Sequence, residues 1–349
     1  MVRRLLSVLL LLAAPAAAEA PARPAPAPLP LLETAVPGLG PNGQAELART
    51  LLRNLPRAFA IGPGGAYASR SGTAAPEQVR QAALEACQRF TPGGAPCVLW
   101  LADLDLVGPG RAWTAPRPPE GLGFGDERRI TLPDPRFIWW GPLASRGVVL
   151  WAHGRNADGT DSRGTQPQSW LRHFNNAGYD IWRFDRDPAR DFVGAAAAWM
   201  RADLVELRRR GYRRVLVAGQ SRGGWNALMA LDTPGLAEVH IAIAPAAIGD
   251  LGEEGQQQQM ARLRGVLAAA RAANARVAVA NFRDDPFNGL PDARAEALRG
   301  LQGRVGPLLL IDRPEGIAGH GAGASRAFAE RYGGCLFRFA TLDPPPPSC

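Results

Sequence analysis

The sequence predicts an α/β fold: a mainly parallel sheet with helices on both faces, preceded by a small ββαβ module. Three observations lead to it. Beyond Val148, short apolar, β-rich runs alternate with helix-compatible segments, the pattern of βαβ units. One of those runs, Val215-Leu216-Val217-Ala218, enters Gly219-Gln220-Ser221-Arg222-Gly223 and continues into a helix-compatible stretch. Ahead of these units, between Ala58 and Leu101, the order is instead hairpin, helix, strand.

The small module occupies residues 42–107. Ala58 to Ile61 and Tyr67-Ala68 flank Gly62-Pro63-Gly64-Gly65, a turn-forming run that joins two strands. Pro76 to Phe90 reads as a helix with Val79, Ala82, Ala83 and Ala86 on one stripe, and Cys97 to Leu101 as a strand. Residues 108–145, rich in Gly and Pro, read as a connector.

Residues 146–341 make the larger unit. Its strands are Val148 to Ala152, Tyr179 to Phe184, Val215 to Ala218, Val239 to Ala244, Val277 to Asn281 and Leu308 to Ile311. Its helices are Ser169 to Ala177, Phe192 to Arg210, Gln256 to Asn274 and Ser325 to Tyr332, long enough for right-handed crossovers. Cys335 to Phe339 reads as a late edge strand and residues 342–349 as a proline-rich tail. The polar loop from Asn156 to Gln168 is longer than most such connections, so it either shapes a pocket or lies on the surface. Gln256 to Gln259 reads as a solvated helix start.

The first twenty residues read as a secretory signal: Arg3 and Arg4, an apolar core from Leu5 to Ala14, then Ala16-Ala17-Ala18 for cleavage. The apolar run is short for a membrane span. Residues 21–41 form a Pro/Ala-rich linker. The expected location is secreted or periplasmic, with no integral membrane segment after cleavage. Four cysteines in an exported chain suggest two disulfides. Three pairings exist, and local pairing, Cys87 with Cys97 and Cys335 with Cys349, is the most economical.

A serine between two glycines on a strand-to-helix turn is a candidate nucleophile. Gly219 lets the turn close on the helix, and Gly223 lets that helix begin close to the sheet. A serine needs a base and a group that orients the base. Of the four histidines, His320 lies in a Gly/Ala-rich loop after an apolar strand. His240 lies inside a strand and His173 inside a helix, where packing explains them. Two adjacent carboxylates, Asp284 and Asp285, follow the Val277–Asn281 strand and compete as the acid. The backbone N–H of Arg222, directly after the serine, is one oxyanion donor. The second is Arg155, after His153-Gly154 at the end of another strand, with His153 holding that loop.

Strand, His-Gly, Gly-x-Ser-x-Gly, Asp and His in this order resemble the α/β-hydrolase superfamily from about Arg146 to Ala340. The elbow Gly219-Gln220-Ser221-Arg222-Gly223-Gly224-Trp225 is similar to those of prolyl-oligopeptidase-like peptidases and dienelactone-hydrolase-like esterases. It has serine where the latter archetype has cysteine, and the chain has no room for a β-propeller. The resemblance implies a base on the loop after the last core strand, which is His320. It also implies an acid at the fourth position of a post-strand turn, often before proline. That register gives Asp285; starting one residue earlier gives Asp284, and Asp312 is next in line.

The expected activity is therefore a serine hydrolase acting on small-molecule carboxylic esters. The alternatives are a peptidase or amidase with the same triad, and a non-catalytic envelope protein on the same fold. No cofactor or metal is expected, since no Cys/His cluster has zinc-like spacing. The 40 basic residues are all arginine, which excludes a lysine Schiff base, a P-loop lysine and a Ser–Lys dyad. The net charge of +8 comes without a dense basic block, so no nucleic-acid partner is expected. Oligomeric state is not legible.

Overall fold

The computed structural model describes residues 36–156, 158–247, 249 and 252–349. The expected signal segment and residues 21–35 of the linker lie outside them.

Two sheets organise these residues. The smaller has four antiparallel strands in the order β2-β1-β3-β4, where β1 is Arg57–Ile61, β2 Tyr67–Ser71, β3 Val98–Ala102 and β4 Asp105–Leu106. Helix α1 (Pro41–Thr50) precedes them and α2 (Pro76–Gln88) joins β2 to β3. The alternation along β1 divides its residues between two cores. Ala58 and Ala60 meet Val79, Ala83 and Ala86 of α2, while Phe59 meets Leu47, Leu51 and Trp100. Cys87, on α2, bonds Cys97, at the start of β3.

The larger sheet has eight strands in the order β12-β11-β10-β9-β7-β8-β6-β5. Six are parallel: β7 (Gly147–Ala152), β8 (Tyr179–Arg186), β9 (Val215–Gln220), β10 (Val239–Ile243), β11 (Arg276–Asn281) and β12 (Leu308–Asp312). Every residue of β7 and of β10 is buried, and both read as apolar runs, broken in β10 only by His240. One face packs against α3 (Arg172–Asn176) and the C-terminal helices. The other packs against α4 (Val193–Arg209), α5 (Arg222–Met229), α6 (Glu253–Ala269) and α7 (Pro291–Arg299).

Three segments differ from the sequence reading. Residues 124–133, inside the expected connector, form a hairpin of β5 (Phe124–Asp126) and β6 (Arg129–Pro133), and β6 joins the sheet antiparallel to β8. Cys335 to Phe339 is not a strand. It lies in helix α8 (Gly334–Thr341), whose buried residues Cys335, Leu336, Phe339 and Ala340 follow a helical period. Burying that stripe on the core outweighs the local β preference of Leu-Phe-Arg-Phe. The Gln256–Gln259 run is not simply solvated: Gln257 and Gln258 are exposed, but Gln256 and Gln259 are buried. A second disulfide joins Cys335 of α8 to Cys349. No helix among the described residues is long and apolar enough to cross a membrane.

Candidate active site

Ser221 stands at the junction of β9 and α5 with φ 54° and ψ −119°, in a left-handed region that a non-glycine residue seldom adopts. The turn is over-determined by its neighbours. Ser221 N donates to Ile243 O at 2.9 Å, and Ser221 O accepts from Trp225 N at 2.9 Å and Ala246 N at 3.1 Å. A Cβ at Gly219 would run into the backbone of Gly223, and one at Gly223 into the carbonyl of Ala152 on β7. The two glycines thus let the turn close and let α5 start against the sheet.

His320 lies beyond β12 on a loop that turns at Gly319 with φ 89°. Its Nδ1 is 2.9 Å from Oδ1 and 3.1 Å from Oδ2 of Asp285. Asp285 is buried in the loop after β11, and Oδ1 also accepts from Phe287 N at 2.9 Å. Asp284 has φ 56° and is exposed, which turns its neighbour inward. Asp312, at the end of β12, meets the guanidinium of Arg313 instead. The loops that carry Asp285 and His320 are fastened together: Gly319 N donates to Arg283 O at 2.7 Å. Gln220 Nε2, beside the serine, donates to His320 O at 3.3 Å.

Arg155, Ser221 and Arg222 line one cavity of about 250 Å³. As the first residue of α5, Arg222 is among those whose N–H a helix leaves without an internal acceptor. Its guanidinium donates to Asp191 O and Ala247 O, and its burial lowers its pKa. Arg155 is exposed. His153 is buried behind the loop: its Nε2 accepts from Arg186 N at 3.1 Å, and burial holds its imidazole well below the usual pKa. His240 and His173 are elsewhere, bonded to the carbonyls of Ala227 and Ala329.

Four supporting residues carried no signal in the sequence. The Phe287 ring lies 4.4 Å from the His320 ring, centroid to centroid. Gln256 clamps the acid loop, donating to Pro286 O at 2.7 Å and accepting from Gly289 N at 2.9 Å. Arg294, wholly buried on α7, donates to Asn281 Oδ1 at 3.0 Å and to Pro245 O, joining the ends of β11 and β10. Burial takes its guanidinium down to about 10, partly offset by the charge of Asp285. Gln220 completes the set.

A serine in a left-handed turn after β9, an aspartate after β11 and a histidine after β12, on a sheet of this order, give the α/β-hydrolase fold. No family model matches the chain, and neither does any of the curated proteins. Among solved structures it is similar to a Mycobacterium tuberculosis puromycin-hydrolyzing peptidase, at 15% identity and a TM-score of 0.42 over 61% of this chain. It is also similar to a Pyrococcus furiosus esterase, at 16% identity and a TM-score of 0.43 over 60% of this chain and 84% of that one. A Pyrococcus horikoshii acylaminoacyl peptidase matches at 16% identity and a TM-score of 0.42 over 62% of this chain. The chain spans 37% and 40% of the lengths of the two peptidases.

Proposed function

We propose that this protein is an exported serine hydrolase that cleaves carboxylic esters through an acyl-enzyme on Ser221. One observation carries the reading. Ser221, strained on its elbow, lines the same cavity as His320, whose Nδ1 meets the buried Asp285 carboxylate. A carboxylate on Nδ1 fixes the proton there and leaves Nε2 to act as base.

Ser221 Oγ attacks the acyl carbon while its proton passes to His320 Nε2. The backbone N–H groups of Arg222 and Arg155 donate to the oxyanion as it forms. The intermediate collapses, the acyl C–O bond breaks, and the alcohol leaves with the proton from His320. Water then attacks the acyl-enzyme with His320 as base again, releasing the acid and restoring Ser221. The two disulfides suit an oxidising compartment, in keeping with export.

The second reading is an amidase or peptidase with the same residues, motivated by the Gly223-Gly224-Trp225 elbow. A fluorophosphonate probe is expected to label the wild-type protein at Ser221 and to leave Ser221→Ala unlabelled. A folded wild-type protein that does not label overturns the hydrolase reading. Higher kcat/KM on proline- or arginine-containing peptides than on short aryl esters would reverse the order of the two substrate classes.

A further inference from the structure

Two cavities meet at Ser221, and they differ in the residue that faces it. Arg155, Asn156 and Ser221 line both. The first, about 250 Å³, is closed by Phe287, Ala246 and Ala247. Through Ala247 it adjoins a space of about 370 Å³ between α4, α5 and α6 that Trp225, Met229 and Val266 line. The second, about 270 Å³, holds His320. His320 returns the proton to the departing group in the mechanism above, so that group lies on the His320 side. The acyl chain then takes the other.

The His320 side does not end at the larger sheet. Gln166 and Ala324 line both this cavity and a further one of about 300 Å³. The outer wall of the further cavity is the small sheet's unit, through Arg53, Asn54, Gly72 and Thr73. Hydrogen bonds fix that wall in place: Asn54 Nδ2 donates to Pro167 O at 3.0 Å, and Asn176 Nδ2 to Leu51 O at 3.2 Å.

Four buried polar atoms along this path have no partner among the described residues: Trp151 Nε1, Gln166 Nε2, Arg53 Nε and Asn54 Oδ1. Buried polar groups are normally paired, so the path offers three donors and one acceptor to an occupant. At its distal end three arginines face two carboxylates. Arg49 and Arg53 both face Glu46, and Arg326 faces Glu330. An occupant that accepts and donates along its length fits, which is the chemistry of a run of hydroxyls.

Resting on the serine-hydrolase reading, we infer that the alcohol released is an extended, hydroxyl-rich one such as an oligosaccharide, and that residues 49–55 and 71–73 form its distal subsite. The same acyl group on different alcohols tests this: ethyl acetate against a monoacetylated trisaccharide. In the wild-type protein kcat/KM is expected to be at least about tenfold higher for the trisaccharide, the effect of two or more added hydrogen bonds. Gly72→Trp and Thr73→Trp each fill the distal cavity, and a Cβ at Gly72 meets nothing within 4 Å. In both, the ratio of the two kcat/KM values is expected to fall towards one. Equal kcat/KM for the two esters, in a wild-type protein that the fluorophosphonate labels, overturns the subsite and leaves the hydrolase reading standing. So does a wild-type ratio kept in both tryptophan variants. An acetyl-tripeptide amide turned over faster than the trisaccharide ester overturns the hydroxyl-rich class. A wild-type protein that the probe does not label takes both readings down.

Discussion

The two sheets end their strands differently. In the four-stranded sheet neighbouring strands reverse, so its loops are divided between two ends. In the eight-stranded sheet six strands run in one direction, so the loops after β7, β9, β11 and β12 leave from one rim. Arg155, Ser221, Asp285 and His320 are on those loops. A parallel sheet gathers side chains far apart in sequence at the carboxyl ends of its strands, which is where ligands of open α/β sheets bind. The antiparallel unit has no such rim, and what it brings to the cleft is a wall.

The comparison breaks first, and with the largest effect, at the acid. Asp285→Asn is expected to lower kcat on one ester by about 10⁴, by analogy with the serine-protease acid whose loss leaves the wrong imidazole tautomer. Asp284→Asn, exposed on the same loop, is expected to stay within about twofold of wild type. A dead Asp284 variant beside an active Asp285 variant would shift the acid by one residue. Loss of activity in neither would remove the rim from the argument.

A smaller effect separates the sheets by pH. His240 is buried in β10, and burial takes its pKa down to about 4, against about 6.5 when unfolded. The unfolded chain therefore binds the proton first as pH falls. Stability drops between about pH 6.5 and 4, by up to about 3 kcal/mol for this group, and the loss is absent above pH 6.5. The small sheet's unit, residues 42–107, has no histidine, so the part of the slope above about pH 5 does not come from it. Denaturant midpoints at pH 7 and pH 4.5 are expected to converge in His240→Met relative to wild type. His153 retains part of the slope, because burial lowers its pKa too. An unchanged slope in the variant would refute the assignment.

The smallest effect belongs to the small sheet. The Cys87–Cys97 bond closes a loop with a sequence separation of 10. Replacing both residues by Ala is expected to cost roughly 2–3 kcal/mol on the chain-entropy account, read by chemical denaturation. Hydrolysis of ethyl acetate at 25 °C is expected to persist, because the proposed triad lies on the other sheet. Its collapse along with stability would mean that the two sheets act as one.

Much of the rim was legible because chemistry and backbone ask for the same residues. Gly219 and Gly223 reveal the elbow, since only glycine tolerates the close approach of β7 and α5 there. His320 stands out because few histidines compete with it. The choice between Asp284 and Asp285 was open in the residues alone, and the geometry separates them by exposure and by the bond to His320. The β5–β6 hairpin was hidden because its strands are short and its glycines resemble a linker. The α8 helix was hidden because five residues that alternate locally say little about the face a neighbour will cover. Phe287, Gln256 and Arg294 act through tertiary contacts that leave no local pattern. The unpartnered atoms of Trp151, Gln166 and Asn54 become visible only when three distant segments lie side by side.

The order in which the chain is made gives the edge position of β11 and β12 a meaning in time. These two strands are the last of the sheet in sequence, and the loops after them carry Asp285 and His320, the proposed acid and base. A ribosome or a translocation channel delivers the serine elbow about a hundred residues before the imidazole that would activate it. Any fragment that ends short of β12, whether a nascent chain or a proteolytic remnant, holds a nucleophile without its base. On the proposed reading such a fragment is chemically silent, and hydrolysis begins only once β12 and the loop after it have arrived.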